Sequence, residues 1–184
     1  MIITVDSEIE LRALTPKENE VVYKAIDENR GHLRKWLSWV DYMTNSADYI
    51  EIIQMWQNAI DEGSGMQLGI FYRGSFVGMC GYNEIFSMSQ RGQIGYWIVK
   101  EAEGKGIVSR SVETLIQYGF EVFDLNRIEI ICGVFNYRSR ALPESLGFVK
   151  EGVMKEYEYL YDHFHDCIMY RQLKAEYEDW KSLL

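Results

Sequence analysis

Ile94-Gly-Tyr-Trp-Ile-Val-Lys-Glu-Ala-Glu-Gly-Lys-Gly-Ile-Val-Ser109 decides the reading of the whole chain. A run of strand-forming apolar residues leads into a turn containing Gly104 and Gly106. An amphipathic pattern follows, with Val108, Val112, Leu115, Ile116, Phe120 and Phe123 on one face. The segment therefore reads as strand, glycine turn, helix. The first backbone N–H groups of a helix have no partner inside it, and the helix dipole favours negative charge at that end. A pyrophosphate suits such a turn, and two residues without a Cβ let it approach the backbone. Spacing alone fits an ordinary tight turn equally well. Two nucleotide signatures do not fit. Walker A requires Lys and then Ser or Thr after its last glycine, but Gly106 is followed by Ile107. The dinucleotide fingerprint requires a third glycine where Ser109 stands.

Upstream of this segment, Met66–Tyr72, Ser75–Glu84 and Gln93–Lys100 read as strands, the first two joined at Arg73-Gly74. The chain opens as a short hairpin, Ile2–Val5 with Glu8–Leu14. Thr15-Pro16-Lys17-Glu18 is a helix start with capping-box chemistry. Val22, Ala25, Ile26, Leu33, Trp36 and Leu37 continue at helical spacing, with a break expected at Gly31. A second helix is expected from about Asn45-Ser46 to Gly63. Downstream lie a strand Arg127–Gly133, a helix Asn136–Leu146, strands Phe148–Lys155 and Asp166–Lys174, and a short tail helix. The order is mixed α/β, with hairpins and a strand–helix–strand crossover.

With 184 residues, no repeat and no linker-like stretch, residues 1–184 are expected to form a single domain. A net charge of −9 argues against a long nucleic-acid footprint, which needs clustered Lys and Arg. No apolar run is long enough to span a bilayer, so no membrane partner is expected. Cys80, Cys132 and Cys167 are odd in number and contain no CxxC pair. With no secretion signal at the start, they point to a reducing, cytoplasmic setting.

The strand–Gly104-Lys105-Gly106–helix segment resembles the acyl-coenzyme A signature of the GNAT N-acetyltransferases, with Glu101 where that signature usually has Gln or Arg. Asn136-Tyr-Arg-Ser139 and Leu146-Gly147-Phe148…Glu151-Gly152 resemble the RimJ/RimL branch of that family. So do Glu10-Leu-Arg-Ala13, Ile94-Gly-Tyr-Trp97, Met154-Lys-Glu-Tyr-Glu158-Tyr and His165-Asp166 followed by Met169-Tyr170. The resemblance runs from about residue 8 to residue 174. It implies a strongly twisted mixed sheet of about seven strands with helices on both faces. It also implies acetyl-CoA as cosubstrate without a metal, and direct attack of an amine on the thioester. The acceptor it implies is a protein N-terminus, a ribosomal protein first of all. A small amine such as a polyamine or an aminoglycoside is the alternative acceptor, and a non-catalytic acyl-CoA-binding module the alternative class. Related enzymes often form homodimers.

The same resemblance assigns roles. Glu158 is the expected base, with Glu84 as runner-up. Ser139 is the expected proton donor to the coenzyme sulfur, and the Val99 backbone N–H the oxyanion donor. Ile98, Val99, Glu103, Gly104, Lys105, Gly106, Ile107, Asn136 and Ser139 are the expected coenzyme contacts, the residues from Glu103 to Ile107 through backbone amides. Lys105 or Arg110 could also meet a phosphate. Trp39 and Tyr42 are expected to wall the acceptor site, together with Glu84. Without the family, Asn136 is a helix cap, Ser139 a first-turn serine, and Glu158 a surface carboxylate. Pro143 cannot donate to the Ser139 carbonyl, so a kink is expected there. His163, His165 and Cys167 alternate along one strand face, a spacing at which three ligands splay apart, so no metal is expected. Cys132, with no histidine at a suggestive spacing, reads as a buried structural thiol.

Overall fold

The computed structural model describes residues 1–182. Its framework is one eight-stranded sheet: β1 (Ile2–Thr4), β2 (Ile9–Arg12), β3 (Met66–Tyr72), β4 (Ser75–Phe86), β5 (Arg91–Ile98), β6 (Arg127–Gly133), β7 (Val149–Leu160) and β8 (His163–Leu173). The spatial order is β1-β2-β3-β4-β5-β6-β8-β7. Every pairing among the described residues is antiparallel except β5 with β6, which are joined by a helical crossover.

The helices are α1 (Asn19–Asp27), α2 (Arg30–Leu33), α3 (Asp48–Glu62), α4 (Ile107–Glu121), α5 (Tyr137–Ser145) and α6 (Lys174–Lys181). Two apolar cores flank the sheet. Val112, Leu115, Ile116 and Phe120 of α4 close one against Leu68, Ile94, Ile128 and Ile168. Val22 and Ile26 of α1 and Tyr49 and Ile53 of α3 close the other against Phe71 and Met79. Alternate strand residues feed opposite cores, as the two-residue period of a strand requires. Each fully buried aliphatic side chain contributes about 1.5–3 kcal/mol. The core is thus the frame on which the site is held.

Three expectations change in detail. The sheet has the eight strands read along the chain, the N-terminal hairpin among them at one edge, where the resemblance implied about seven. The first helical stretch breaks at Glu28-Asn29, not at Gly31, which lies inside α2. Asn29 is the reason: its amide donates to the Ala25 carbonyl at 2.9 Å and its Oδ1 accepts from the Lys100 backbone at 3.0 Å. The last two strands run five and three residues longer toward their shared turn than the patterning predicts. A bulge in β7 between Met154 and Glu158 hides their alternation.

The site is made where the parallel pair comes apart. β5 and β6 pair from Arg91↔Arg127 to Ile94↔Ile130 and no further. Beyond that point β5 stays with β4 as far as Gly78↔Ile98, and β6 stays with β8 as far as Gly133↔Cys167. A wedge opens between Gly95–Ile98 and Ile131–Gly133.

Candidate active site

A cavity of about 1010 Å³ occupies this wedge and continues beneath α2 and the segment between α2 and α3. Ile98, Glu103, Asn136, Ser139, Trp39 and Glu158 all line it, six of the thirteen residues singled out from sequence.

At one end lies the glycine turn. Gly104 (φ 73°) and Gly106 (φ 68°) both adopt the left-handed conformation, and a Cβ built on either meets nothing within 4 Å. Gly106 caps α4. Among the described residues, no backbone or side-chain acceptor takes the N–H groups from Gly104 to Ser109. The first paired one is that of Arg110, which donates to the Gly106 carbonyl at 3.1 Å. Open backbone with unpaired donors at a helix N-terminus fits a diphosphate. Two expectations fail here. The Glu103 N–H is spent on the Lys100 carbonyl at 3.2 Å, so it is no free amide; the Glu103 carboxylate instead reaches His32 at 3.4 Å and also Arg138. Arg110 does not wait for a phosphate, because Asp6 and Glu8 of the β1–β2 hairpin hold its guanidinium.

Val99 is also corrected. Its N–H donates to the Val77 carbonyl of β4 at 2.8 Å and is unavailable as an oxyanion donor. Strand N–H groups alternate in direction. Those of Tyr96 and Ile98 therefore point away from β4 toward the wedge, past the end of the pairing with β6. The resemblance brought the assignment to the right strand but one residue out of phase.

In the wedge, Ser139 sits in the first turn of α5. Asn136 caps that helix, its Oδ1 accepting from the Ser139 N–H at 3.3 Å. The Ser139 hydroxyl donates to the Tyr96 hydroxyl at 3.2 Å and lies 3.2 Å from the Cys132 thiol. Burial raises both the Tyr96 phenol and the Cys132 thiol, so both stay neutral beside Ser139. The low reactivity expected of Cys132 agrees with this setting. Tyr96 escaped the sequence reading, although it lies within the quoted segment, because nothing in one dimension pairs it with Ser139. Pro143 does not break α5, which continues to Ser145.

At the far end, Glu158 pairs across strands with His165, Oε2 to Nε2 at 3.1 Å. Trp39 packs on Trp97 with ring centroids 6.4 Å apart. With Trp36, Trp56 and Tyr157 they give this half an aromatic wall. Two expected wall residues lie elsewhere. Tyr42 is 74% exposed and outside the cavity, because its short 3-10 turn faces solvent. Glu84 is exposed beyond a β4 bulge, and its neighbour Asn83 takes the lining position.

The comparisons agree with this geometry. The family model for the acetyltransferase (GNAT) domain matches residues 8–149. YdaF of Bacillus subtilis (strain 168), provisionally named a ribosomal N-acetyltransferase, is 37% identical over 96% of this chain and 97% of its own. The ribosomal-protein-serine acetyltransferase of Escherichia coli (strain K12) is 27% identical over 93% and 96%. A solved structure of RimL, a ribosomal alpha-N-protein acetyltransferase, in complex with coenzyme A superposes with a TM-score of 0.91. It shares 29% identity and covers 94% of this chain and 98% of that one. A strand pair that divides beside an open glycine turn, a match over most of the chain and a near-full-length relative have one reading: the chain belongs to the GNAT acetyltransferase family.

Proposed function

We propose that this enzyme acetylates the N-terminal α-amine of a protein, a ribosomal protein in the first instance, from acetyl-CoA bound in the β5–β6 wedge. The observation that carries the reading is the division of β5 from β6 after Ile94↔Ile130, which leaves outward N–H groups and Ser139 facing one cavity. The names of the relatives support the ribosomal acceptor.

Acetyl-CoA supplies an acetyl thioester already activated for attack by an amine. The unpaired N–H groups of Gly104 to Ile107 and the α4 dipole hold the diphosphate. The Ile98 N–H, rather than that of Val99, points where negative charge grows on the acyl oxygen and stabilises it. Ser139 holds the proton that the departing sulfur takes, and Tyr96 fixes its hydroxyl. Glu158 takes the proton from the acceptor amine, directly or through water. An α-amine has a pKa of about 7.7 and is already partly neutral at pH 7, whereas lysine, at about 10.4, hardly is. A half-exposed carboxylate is base enough for the former. Aromatic side chains line the acceptor half of the cavity, which suits an extended chain end more than a folded surface.

The test is to supply acetyl-CoA with short peptides matching ribosomal N-termini and to follow thiol release with acetylated product by mass spectrometry. Spermidine and α-blocked, lysine-containing peptides serve as competing acceptors. Preferential α-acetylation is expected. Turnover only with spermidine or with the lysine side chain would overturn the assignment.

A further inference from the structure

β7 and β8 bring together three side chains that acetyl transfer does not use as a set. Glu158 of β7 stands opposite His165, and Cys167 lies two residues further along the same face of β8. The β7 bulge between Met154 and Glu158, with Glu156 in a left-handed conformation (φ 49°), sets that register. One ligand atom from each of Glu158, His165 and Cys167 lies within 4.8 Å of the other two. His163, grouped with His165 and Cys167 by sequence spacing, instead faces solvent and contacts Asp162 at 2.7 Å. Three ligands on a single strand would splay. Two from one strand and one from its neighbour converge.

The donor set is that of a soft divalent cation. A thiolate, a neutral imidazole and a carboxylate form a three-ligand zinc set with the fourth position open. Two negative ligands balance a 2+ ion. Zinc bonds of about 2.0–2.3 Å place tetrahedral ligand atoms roughly 3.3–3.8 Å apart, so closure from the observed spacing takes side-chain shifts of about 1 Å. Zinc would displace the thiol proton of Cys167 to solvent and form the Zn–S bond, with no change of oxidation state.

We propose that Glu158, His165 and Cys167 form a Zn2+-binding site, and that zinc bound there inhibits the enzyme by occupying the Glu158 carboxylate. The inhibitory half rests on the reading of Glu158 as base; the binding half does not. Glu158 and His165 both line the cavity, so a zinc bound there also stands in the path of the amine.

Binding is read without activity by titrating the untagged full-length protein with Co2+. One equivalent should give the intense visible bands of a tetrahedral site and a near-ultraviolet thiolate-to-cobalt band. Zn2+ should displace both. The thiolate band should vanish in Cys167→Ser and persist in Cys80→Ser. Activity is then followed as initial rates of acetyl-peptide formation in zinc buffers, because free coenzyme A itself binds zinc. Wild-type inhibition should reverse with chelator, and Cys167→Ser should keep its basal rate while needing at least about tenfold more zinc for inhibition. Absence of a thiolate band in the wild type overturns the site even if the variant fails to fold. Persistence of the band in Cys167→Ser overturns it too. Cobalt binding at Cys167 without zinc inhibition upholds the site but overturns the inhibition, and with it Glu158 as base.

Discussion

The Tyr96 hydroxyl donates to the Ser139 backbone carbonyl at 2.9 Å. That carbonyl is the one that the residue four positions later would normally take in a helix, and the residue there is Pro143, which has no N–H. The proline creates an acceptor in the wedge and the tyrosine of the diverging strand fills it. One hydroxyl thus ties α5 to β5 and also accepts from the Ser139 side chain.

Tyr96→Phe leaves a carbonyl without its donor in the wedge and should cost about 1–3 kcal/mol of stability. At roughly 2–4 °C per kcal/mol for a chain this size, thermal melts should resolve it. Restoring an N–H with Pro143→Ala should make the same Tyr96 substitution less costly. A double-mutant cycle in which the two losses simply add would show that the residues do not share this acceptor.

Ser139→Ala and Glu158→Gln remove the proposed proton donor and the proposed base. Each should lower kcat/KM by about 10²–10⁴-fold, and Glu158→Gln should leave the affinity for coenzyme A unchanged. Calorimetry of coenzyme binding beside steady-state rates separates the two effects. An unchanged rate in either variant removes that residue from its role.

Much of this was legible beforehand because strand and helix periods survive in one dimension. The segment from Ile94 to Ser109 reads as strand, turn and helix in the observed order, although the strand ends at Ile98 rather than at Lys100. What was lost depends on direction and partners. Val99 was one residue out of phase, because which side an N–H faces is set by pairing with Val77, not by local sequence. Glu84 and Tyr42 failed for a similar reason: a bulge and a 3-10 turn rotate them to solvent, and neither feature has a strong composition signal. Arg110 had partners 102 and 104 residues away, beyond any local reading.

Gly104→Ala and Gly106→Ala place a Cβ on backbone at φ 73° and 68°. The left-handed conformation costs a non-glycine residue about 1–2 kcal/mol. The open space around each position means that no clash adds to it. The larger effect should fall on coenzyme affinity, since the methyl sits at the proposed contact between the diphosphate and the backbone. Calorimetry should show a weakened Kd for coenzyme A, with kcat recovered at saturation. Equal loss of kcat with unchanged Kd would mean that the turn does not hold the diphosphate.

The hairpin that holds Arg110 predicts how stability responds to acid. The Asp6 carboxyl lies below its ordinary value, first because it accepts from the Glu8 backbone N–H at 2.7 Å and then because it pairs with Arg110, against some desolvation. Glu8 is lowered chiefly by Arg73. A folded-state value below the unfolded one means that the unfolded chain binds more protons in acid. The contribution is therefore fully present above the ordinary carboxylate range, declines as pH falls through it, and is gone below the folded-state values. Asp6→Asn should lower Tm at pH 7 and flatten the fall in Tm between about pH 5 and pH 3, where unshifted carboxylates titrate. The effect is modest, because exposed pairs are screened, and salt should reduce it. Because Asp6 and Glu8 anchor the start of α4 through Arg110, the same variant should also weaken coenzyme binding slightly. Parallel Tm–pH curves for the two proteins would show that this hairpin does not contribute to acid sensitivity.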